Sequence, residues 1–350
     1  MIINRIKESK IHNIDFGKLP FGKVFSDHML ICQYKSGKWH TPEIRPYGTL
    51  SISAGTQVLH YGQSVFEGMK AFKSDAGELL LFRYMDNYRR LNQSATRLSI
   101  PVISENIFKT GLKELLNLDS DWCNKEDGYA LYIRPFIFAS GECIKASAST
   151  EYTFVIITSP STVYYPKAID VIIEEHYSRA SRGGVGFAKA AGNYASSFYP
   201  TKQANRKGFT QIIWTDAKEH RYIEESGTMN IWFRIGNKLV TPELSDSILD
   251  GITRRSIISL AKKRGIEVEE RKILVKEILD AYHQNNLNEC FGTGTAVTVS
   301  PIDSITFNSI RMVMAQKGES IALKLKKDLQ DIQKGRIEDT FNWVTFLKEI

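Results

Sequence analysis

The chain has 350 residues, of which 42% are hydrophobic, 24% charged and 11% aromatic. That length exceeds what one hydrophobic core organises, so two domains are expected, and the composition excludes a disordered, collagen-like or membrane-spanning chain. The net charge of +7, from 46 Lys and Arg against 39 Asp and Glu, is spread over both halves rather than gathered in a stripe, which argues against nucleic-acid binding.

The opening Met1–Glu8 carries acid and lacks a long apolar core, so it does not read as a signal peptide, and no apolar run reaches the ~18 residues of a membrane helix. Residues 20–83 read as short strands and turns, punctuated by Pro20, Gly22, Gly37, Pro42, Pro46, Gly48, Gly55, Gly62 and Gly68. From Met85, apolar residues recur at helical spacing (Tyr88, Leu91, Ala95, Leu98) until Pro101. Ser104 is the predicted N-cap of a second helix with the stripe Ile107, Phe108, Leu112, Leu115, Leu116. Two strands follow, Tyr129–Phe138 and Tyr152–Thr158. The proline-bracketed run that begins at Ser159 reads as a linker, giving domains 1–158 and 169–350 with 159–168 between them.

Beyond the linker, strands are expected at Ile169–Glu174, Gln211–Thr215, Ile266–Glu270 and Glu289–Phe291. Helices are expected at Ser196–Lys207, Thr253–Arg264, Val275–Tyr282 and Ser320–Gln333. Gly208, Gly265 and Gly335 close three of them. The mixture predicts an α+β or α/β fold with a sheet in each half. Cys32, Cys123, Cys143 and Cys290 lie far apart, with no CxxC pair and no metal spacing, which favours a reducing, cytoplasmic compartment and no metal site.

Four segments carry candidate chemistry. In Arg182–Tyr194, Lys189 stands among small residues, in a pattern that fits neither GxxxxGK[ST] nor GxGxxG. Small neighbours allow a planar ligand to approach the backbone, and a lysine there can form a Schiff base with an aldehyde; a solvated glycine-rich loop is the plainer alternative. In Ile223–Phe233, the acid pair Glu224-Glu225 precedes a tight turn, and a carboxylate there can keep a pyridine nitrogen protonated. Leu249–Arg255 opens a helix at Gly251, where free N–H groups suit a phosphate. Phe291–Val297 is a Gly-Thr-rich turn offering further donors; solvated strand-end glutamates, an ordinary capped helix and a ligand-free β-turn are the plainer alternatives for these last three segments. Together the four ask for one ligand with an aldehyde, a basic ring nitrogen and a phosphate, and pyridoxal 5′-phosphate has all three.

These residues resemble a known family. Phe21–Met29, Val65–Phe72, Leu131–Pro135, Lys189–Tyr194, Glu225–Asn230 and Gly335–Asp339 are similar, in order, to motifs of the branched-chain amino acid aminotransferases of pyridoxal phosphate fold type IV. The resemblance implies a small N-terminal and a larger C-terminal domain with the cofactor at their interface, and a homodimer or higher homo-oligomer. It implies that Lys189 binds the cofactor covalently and shuttles a proton, that Glu225 pairs with the ring nitrogen, and that Tyr194 meets the ring's O3′. Arg90, Ile252, Thr253 and Thr295 would hold the phosphate.

The resemblance also implies that Tyr61, Thr228 and Ala296 receive the substrate carboxylate and that Phe21, Phe66, Tyr132 and Tyr164 line the side-chain pocket. Arg134 would accept the distal carboxylate of glutamate. The reaction implied is amino transfer from L-leucine, L-isoleucine and L-valine to 2-oxoglutarate. Rival expectations are a D-amino acid aminotransferase or a lyase of the aminodeoxychorismate type on the same fold, and a basic binding protein that has lost the chemistry. The sequence departs from the family at Ala191, where many members have glycine, and at Val297 and Ser300, where vertebrate members have a CxxC pair. The segment Gly141–Ser149 does not align cleanly.

Overall fold

Alternation of side chains along strands builds the first sheet. In His28–Lys35, Leu30 and Cys32 enter one core cluster while Met29 and Ile31 enter another. The same split separates Ile137 from Phe136 and Phe138, and Phe154 and Ile156 from Val155 and Ile157. The first cluster is completed by two helices, Tyr84–Arg97 through Leu91 and Ala95, and Glu105–Leu118 through Phe108, Leu112, Leu115 and Leu116. Ser104 caps the second as expected, its Oγ accepting the Ile107 N–H at 3.3 Å.

The computed structural model describes residues 1–315 and 318–350. It falls into two units, each treated by itself. The first comprises Met1–Tyr164, Ala188–Ala191 and Asp331–Ile350. Its sheet has 10 strands, with the main order Ile2–Ile3, Glu43–Pro46, His28–Lys35, Tyr152–Ser161, Ala130–Ala139, Met69–Lys73, Leu79–Phe82 and Val344–Phe346. Neighbours along this order are antiparallel except the first pair.

Two expectations about the boundary need correction. The strand Tyr152–Ser161 runs through Ser159-Pro160-Ser161, which had read as linker. Pro160 is tolerated because the register with His28–Lys35 ends at Met29 opposite Ile157. The Thr158 carbonyl accepts the Ser26 N–H on that side, and Pro160, two residues on, turns its nitrogen to the same side beyond the ladder. The last residues, expected in the second domain, belong to the first unit because Val344–Phe346 pairs with Leu79–Phe82.

The second unit comprises Tyr165–Phe187 and Gly192–Gln330. Its sheet has 9 strands among the described residues. Ile223–Ser226, Gln211–Thr215, Ile169–Ile173, Thr298–Phe307, Leu287–Gly294 and Met229–Ile235 follow one another, and the last pairs back onto the first through Glu225 opposite Asn230 and Ser226 opposite Met229. These strands therefore close into a ring, which removes their free edges. Ile212 and Trp214 face a cluster with Ala204, while Ile213 faces the opposite cluster with Ile278 and Ala281.

The helix predicted from Ser196 spans Ala191–Arg206, with Pro200 inside it. Near the proline the Ser196 and Ser197 hydroxyls donate to the Asn193 and Tyr194 carbonyls at 3.0 and 2.7 Å. The strand predicted at Glu289–Phe291 extends over Leu287–Gly294.

Leu112 is fully buried between the helix and sheet of the first unit. Leu112→Ala is expected to cost about 2–5 kcal/mol, measured as a shift in the denaturation midpoint at unchanged slope.

Candidate active site

In the first unit, the short segment around Lys189 is held by main-chain bonds. Its carbonyl accepts the Phe66 N–H at 3.1 Å, and its own N–H donates to Ser94 Oγ at 3.0 Å. Ala190 forms a bridge with Val65. Ser94 in turn donates to the Arg90 carbonyl at 2.9 Å, one helical turn earlier. The Lys189 ammonium stands 4.9 Å from the centre of the Phe66 ring. The backbone of Lys189 is thus fixed on both edges.

Arg90 lies on the same helix and is buried. Its Nε and Nη2 donate to the two oxygens of Glu67 at 2.7 and 3.0 Å. Such a bidentate pair fixes the plane of the guanidinium. Burial raises the proton affinity of Glu67, but the Arg90 charge and hydrogen bonds, the Lys189 charge and the Asn87 amide outweigh it, so the carboxyl lies below its ordinary value.

The aromatic residues expected to line a pocket are brought together. The Phe21 ring meets those of Tyr132 at 5.1 Å and Tyr164 at 4.9 Å, both edge-on. Arg134 stacks 4.6 Å from the Phe66 ring and donates from Nη2 to the Tyr132 hydroxyl at 3.1 Å. Its Nε is buried with no hydrogen-bond partner among the described residues. Gly68 makes this packing possible, since a Cβ there would lie 2.0 Å from the Tyr132 hydroxyl. Tyr61 is 46% exposed and donates its hydroxyl to the Ile144 carbonyl, in the segment that did not align. Its donor is thus committed to that loop.

In the second unit, Glu225 is buried on the closing strand of the ring. Its Oε1 accepts from the Leu249 N–H at 2.8 Å and from Asn230 Nδ2 at 3.2 Å, and its Oε2 lies 3.1 Å from Arg179 Nε. Hydrogen bonds and a guanidinium favour the ionised form. Glu224, its neighbour, has one oxygen bonded by the Ser247 hydroxyl and the other buried without a partner among the described residues. The environment thus separates two acids that the sequence offers as a pair.

Asn230 also donates to the Leu249 carbonyl at 2.9 Å, tying Glu225 to the turn that opens the helix Ile252–Lys263. That helix starts at Gly251 with no side-chain cap, and Ile252 and Thr253 are buried in its first turn. A Cβ on Gly251 would lie 1.9 Å from Asn230 Oδ1, so the glycine is set by close approach, not by φ, which is −70°. Thr228 lies in the two-residue turn between the paired Ser226 and Met229, with Gly227 at φ 56°. Thr295 and Ala296 lie in the hairpin loop between Gly294 and Thr298.

Within the glycine-rich segment, a Cβ on Gly186 would lie 2.6 Å from the Ser247 Cα, so this glycine admits another stretch of backbone. Ala191 is absent from the positive-φ residues, so its departure from the family pattern carries no backbone strain. Tyr194 sits, half-buried, on the helix that begins at Ala191.

Residues 64–305 match the family model of the amino-transferases of class IV. The chain belongs to that family. It is 45% identical over 345 residues to a probable branched-chain-amino-acid aminotransferase of Staphylococcus aureus (strain MRSA252), covering 97% of this chain and 96% of that one. Among solved structures it resembles the branched-chain aminotransferase of Thermoproteus uzoniensis with norvaline, at TM-score 0.76 and 25% identity, covering 91% of this chain and 99% of that one. It also resembles the T.th. branched-chain amino acid aminotransferase complexed with N-(5′-phosphopyridoxyl)-L-glutamate, at TM-score 0.70 and 25% identity, covering 90% and 98%. The chain has the type IV fold of this family, a mixed α/β chain with a sheet in each unit.

Three residues of this class IV aminotransferase were not singled out by sequence: Glu67, Arg179 and Asn230. Glu67 and Asn230 do carry a signal, a single polar residue inside an apolar run. Arg179 carries none, because it is brought to Glu225 only by the fold.

Two outcomes follow from this geometry. Gly251→Ala must displace Asn230 and is expected to cost about 1–3 kcal/mol in denaturant unfolding, with weaker cofactor uptake by the purified protein. Burial pushes the Glu224 carboxyl above its ordinary value of 4.5, against the opposing bond from Ser247. The folded state then binds the proton more tightly than the unfolded state, so stability falls as pH rises through that interval. Glu224→Gln is expected to flatten this fall, read from melting temperatures between about pH 4 and pH 8.

Proposed function

We propose that this chain transfers the amino group of L-leucine, L-isoleucine and L-valine to 2-oxoglutarate, with pyridoxal 5′-phosphate as cofactor, working in the cytoplasm as a homodimer or higher homo-oligomer. The observation that carries the reading is Lys189, an amine whose backbone is fixed to Phe66 and Ser94 and which sits against the Phe66 ring. The 45% identity to a probable branched-chain-amino-acid aminotransferase over nearly the whole chain supports the substrate class.

The residues fit the cofactor chemically. Glu225, held as an anion by Arg179, Asn230 and the Leu249 N–H, suits a protonated ring nitrogen. The uncapped first turn at Ile252 and Thr253, the Thr295 hydroxyl and the Arg90 guanidinium suit a phosphate dianion. When bound, this group supplies an electron sink for the pair left at the substrate Cα.

The chain's own residues do the rest. Lys189 would hold the aldehyde carbon covalently and, once displaced by the incoming amine, carry the proton between Cα and that carbon. Glu225 would keep the ring nitrogen protonated, and Tyr194 would donate to the ring oxygen. Thr228 and the Ala296 N–H would carry the substrate carboxylate, joined by Tyr61 if its hydroxyl turns from Ile144. Phe21, Phe66, Tyr132 and Tyr164 offer an aliphatic side chain an apolar wall. The buried Nε of Arg134 would take the distal carboxylate of glutamate, satisfying a donor that otherwise lacks a partner among the described residues.

Adding L-leucine to the purified holoenzyme is expected to bleach the visible absorbance of the bound cofactor, and 2-oxoglutarate to restore it; D-leucine is expected to do neither. Lys189→Ala is expected to lower kcat by at least about 10³-fold. Turnover within tenfold of the unaltered enzyme would refute the assignment.

A further inference from the structure

Among the described residues, Glu67 is the one fully buried acid of the first unit that lies beside both Lys189 and Arg90, and it has no part in the roles assigned above. Four donors converge on it. Arg90 Nε reaches Oε1 at 2.7 Å, while Arg90 Nη2, Asn87 Nδ2 and its neighbour's Gly68 N–H reach Oε2 at 3.0, 2.7 and 3.1 Å. Burying such a pair is no route to stability, because desolvation of both ions offsets most of their attraction. What the pair does provide is direction.

That direction is set in two ways. Glu67 occupies the Nε–Nη2 edge of Arg90, so the plane and the opposite edge of the guanidinium are fixed by the carboxylate. Glu67 also follows Phe66, whose N–H is bonded to the Lys189 carbonyl, and its own N–H donates to the Pro135 carbonyl at 2.7 Å. Ser94 closes the loop from the helix side, bonded both to the Arg90 carbonyl and to the Lys189 N–H. The amine and the guanidinium are therefore both indexed to one carboxylate.

We propose that Glu67 is the positioning residue for cofactor phosphate recognition in this chain, acting through Arg90 by holding its guanidinium in one fixed orientation relative to the Lys189 backbone. This rests on the reading of Lys189 and Arg90 given above. The hydrogen bonds of Glu67 go to Arg90, Asn87 and Gly68, so it acts through Arg90. It meets the Lys189 amine only through charge, so the phosphate arm carries the larger share of its effect while the lysine backbone keeps its bonds to Phe66 and Ser94.

The test uses the purified protein stripped of cofactor and titrated with pyridoxal 5′-phosphate and, separately, with pyridoxal, which lacks the phosphate. Glu67→Gln is expected to weaken binding of the phosphorylated form about tenfold or more while leaving pyridoxal within about twofold, so the preference for the phosphate collapses. Glu67→Asp, which keeps the charge, is expected to recover part of that preference and serves where the amide variant does not fold. Placed in an Arg90→Gln background, Glu67→Gln is expected to add no further loss. Equal loss for both ligands, no loss for either, or full additivity with Arg90→Gln would overturn the proposal. An unaltered protein that takes up neither ligand would overturn the cofactor reading itself, and this proposal with it.

Discussion

The pairing of a four-residue stretch, Ala188–Ala191, with the strand Ser64–Phe66 is the constraint on which the first unit's chemistry depends. Lys189 is remote in sequence from every residue that surrounds it in that unit. Bonds from its own main chain, to the Phe66 N–H and to Ser94 Oγ, hold it there. Fixing the backbone on two edges sets the point from which the lysine side chain projects. The neighbouring Arg90 and Glu67 extend the same logic, with a fully satisfied ion pair in place of a flexible surface cation.

The second unit solves a matching problem with different means. Closing the ring of strands brings Glu225 opposite Asn230, and Asn230 reaches the Leu249 carbonyl. The acid and the start of the helix Ile252–Lys263 are thereby held in register by one amide side chain. Gly251 is the gap that lets this amide approach. Arg179 adds a charge on the far oxygen of Glu225, so the carboxylate is bound from three directions before any ligand is considered.

The sequence was most legible where periodicity or a cap states the structure locally. The amphipathic helices of the first unit and the Ser104 cap are examples. Lys189 and Glu225 were singled out by the family resemblance and by the four segments taken together, since locally a solvated glycine-rich loop was the plainer reading of the first. The partners that tune them were not. Arg179 and Glu225 meet only through the fold, and the lone acid Glu67 in its apolar run does not name its partner until the helix bearing Arg90 is laid beside it. The boundary was misread for a similar reason. Pro160 looks like a breaker in isolation, yet it is harmless at a point where the neighbouring strand has already ended its pairing.

The strand Val344–Phe346 is the outermost of the first sheet, and it covers Leu79–Phe82, a run of four buried apolar residues. During synthesis that run emerges from the ribosome long before its cover does. Until Val344–Phe346 is made, the nascent chain carries an apolar strand with an open row of N–H and carbonyl groups, a template for pairing with other chains. Truncation ahead of Val344 would leave that row of groups uncovered, an invitation to aggregation that the late strand removes.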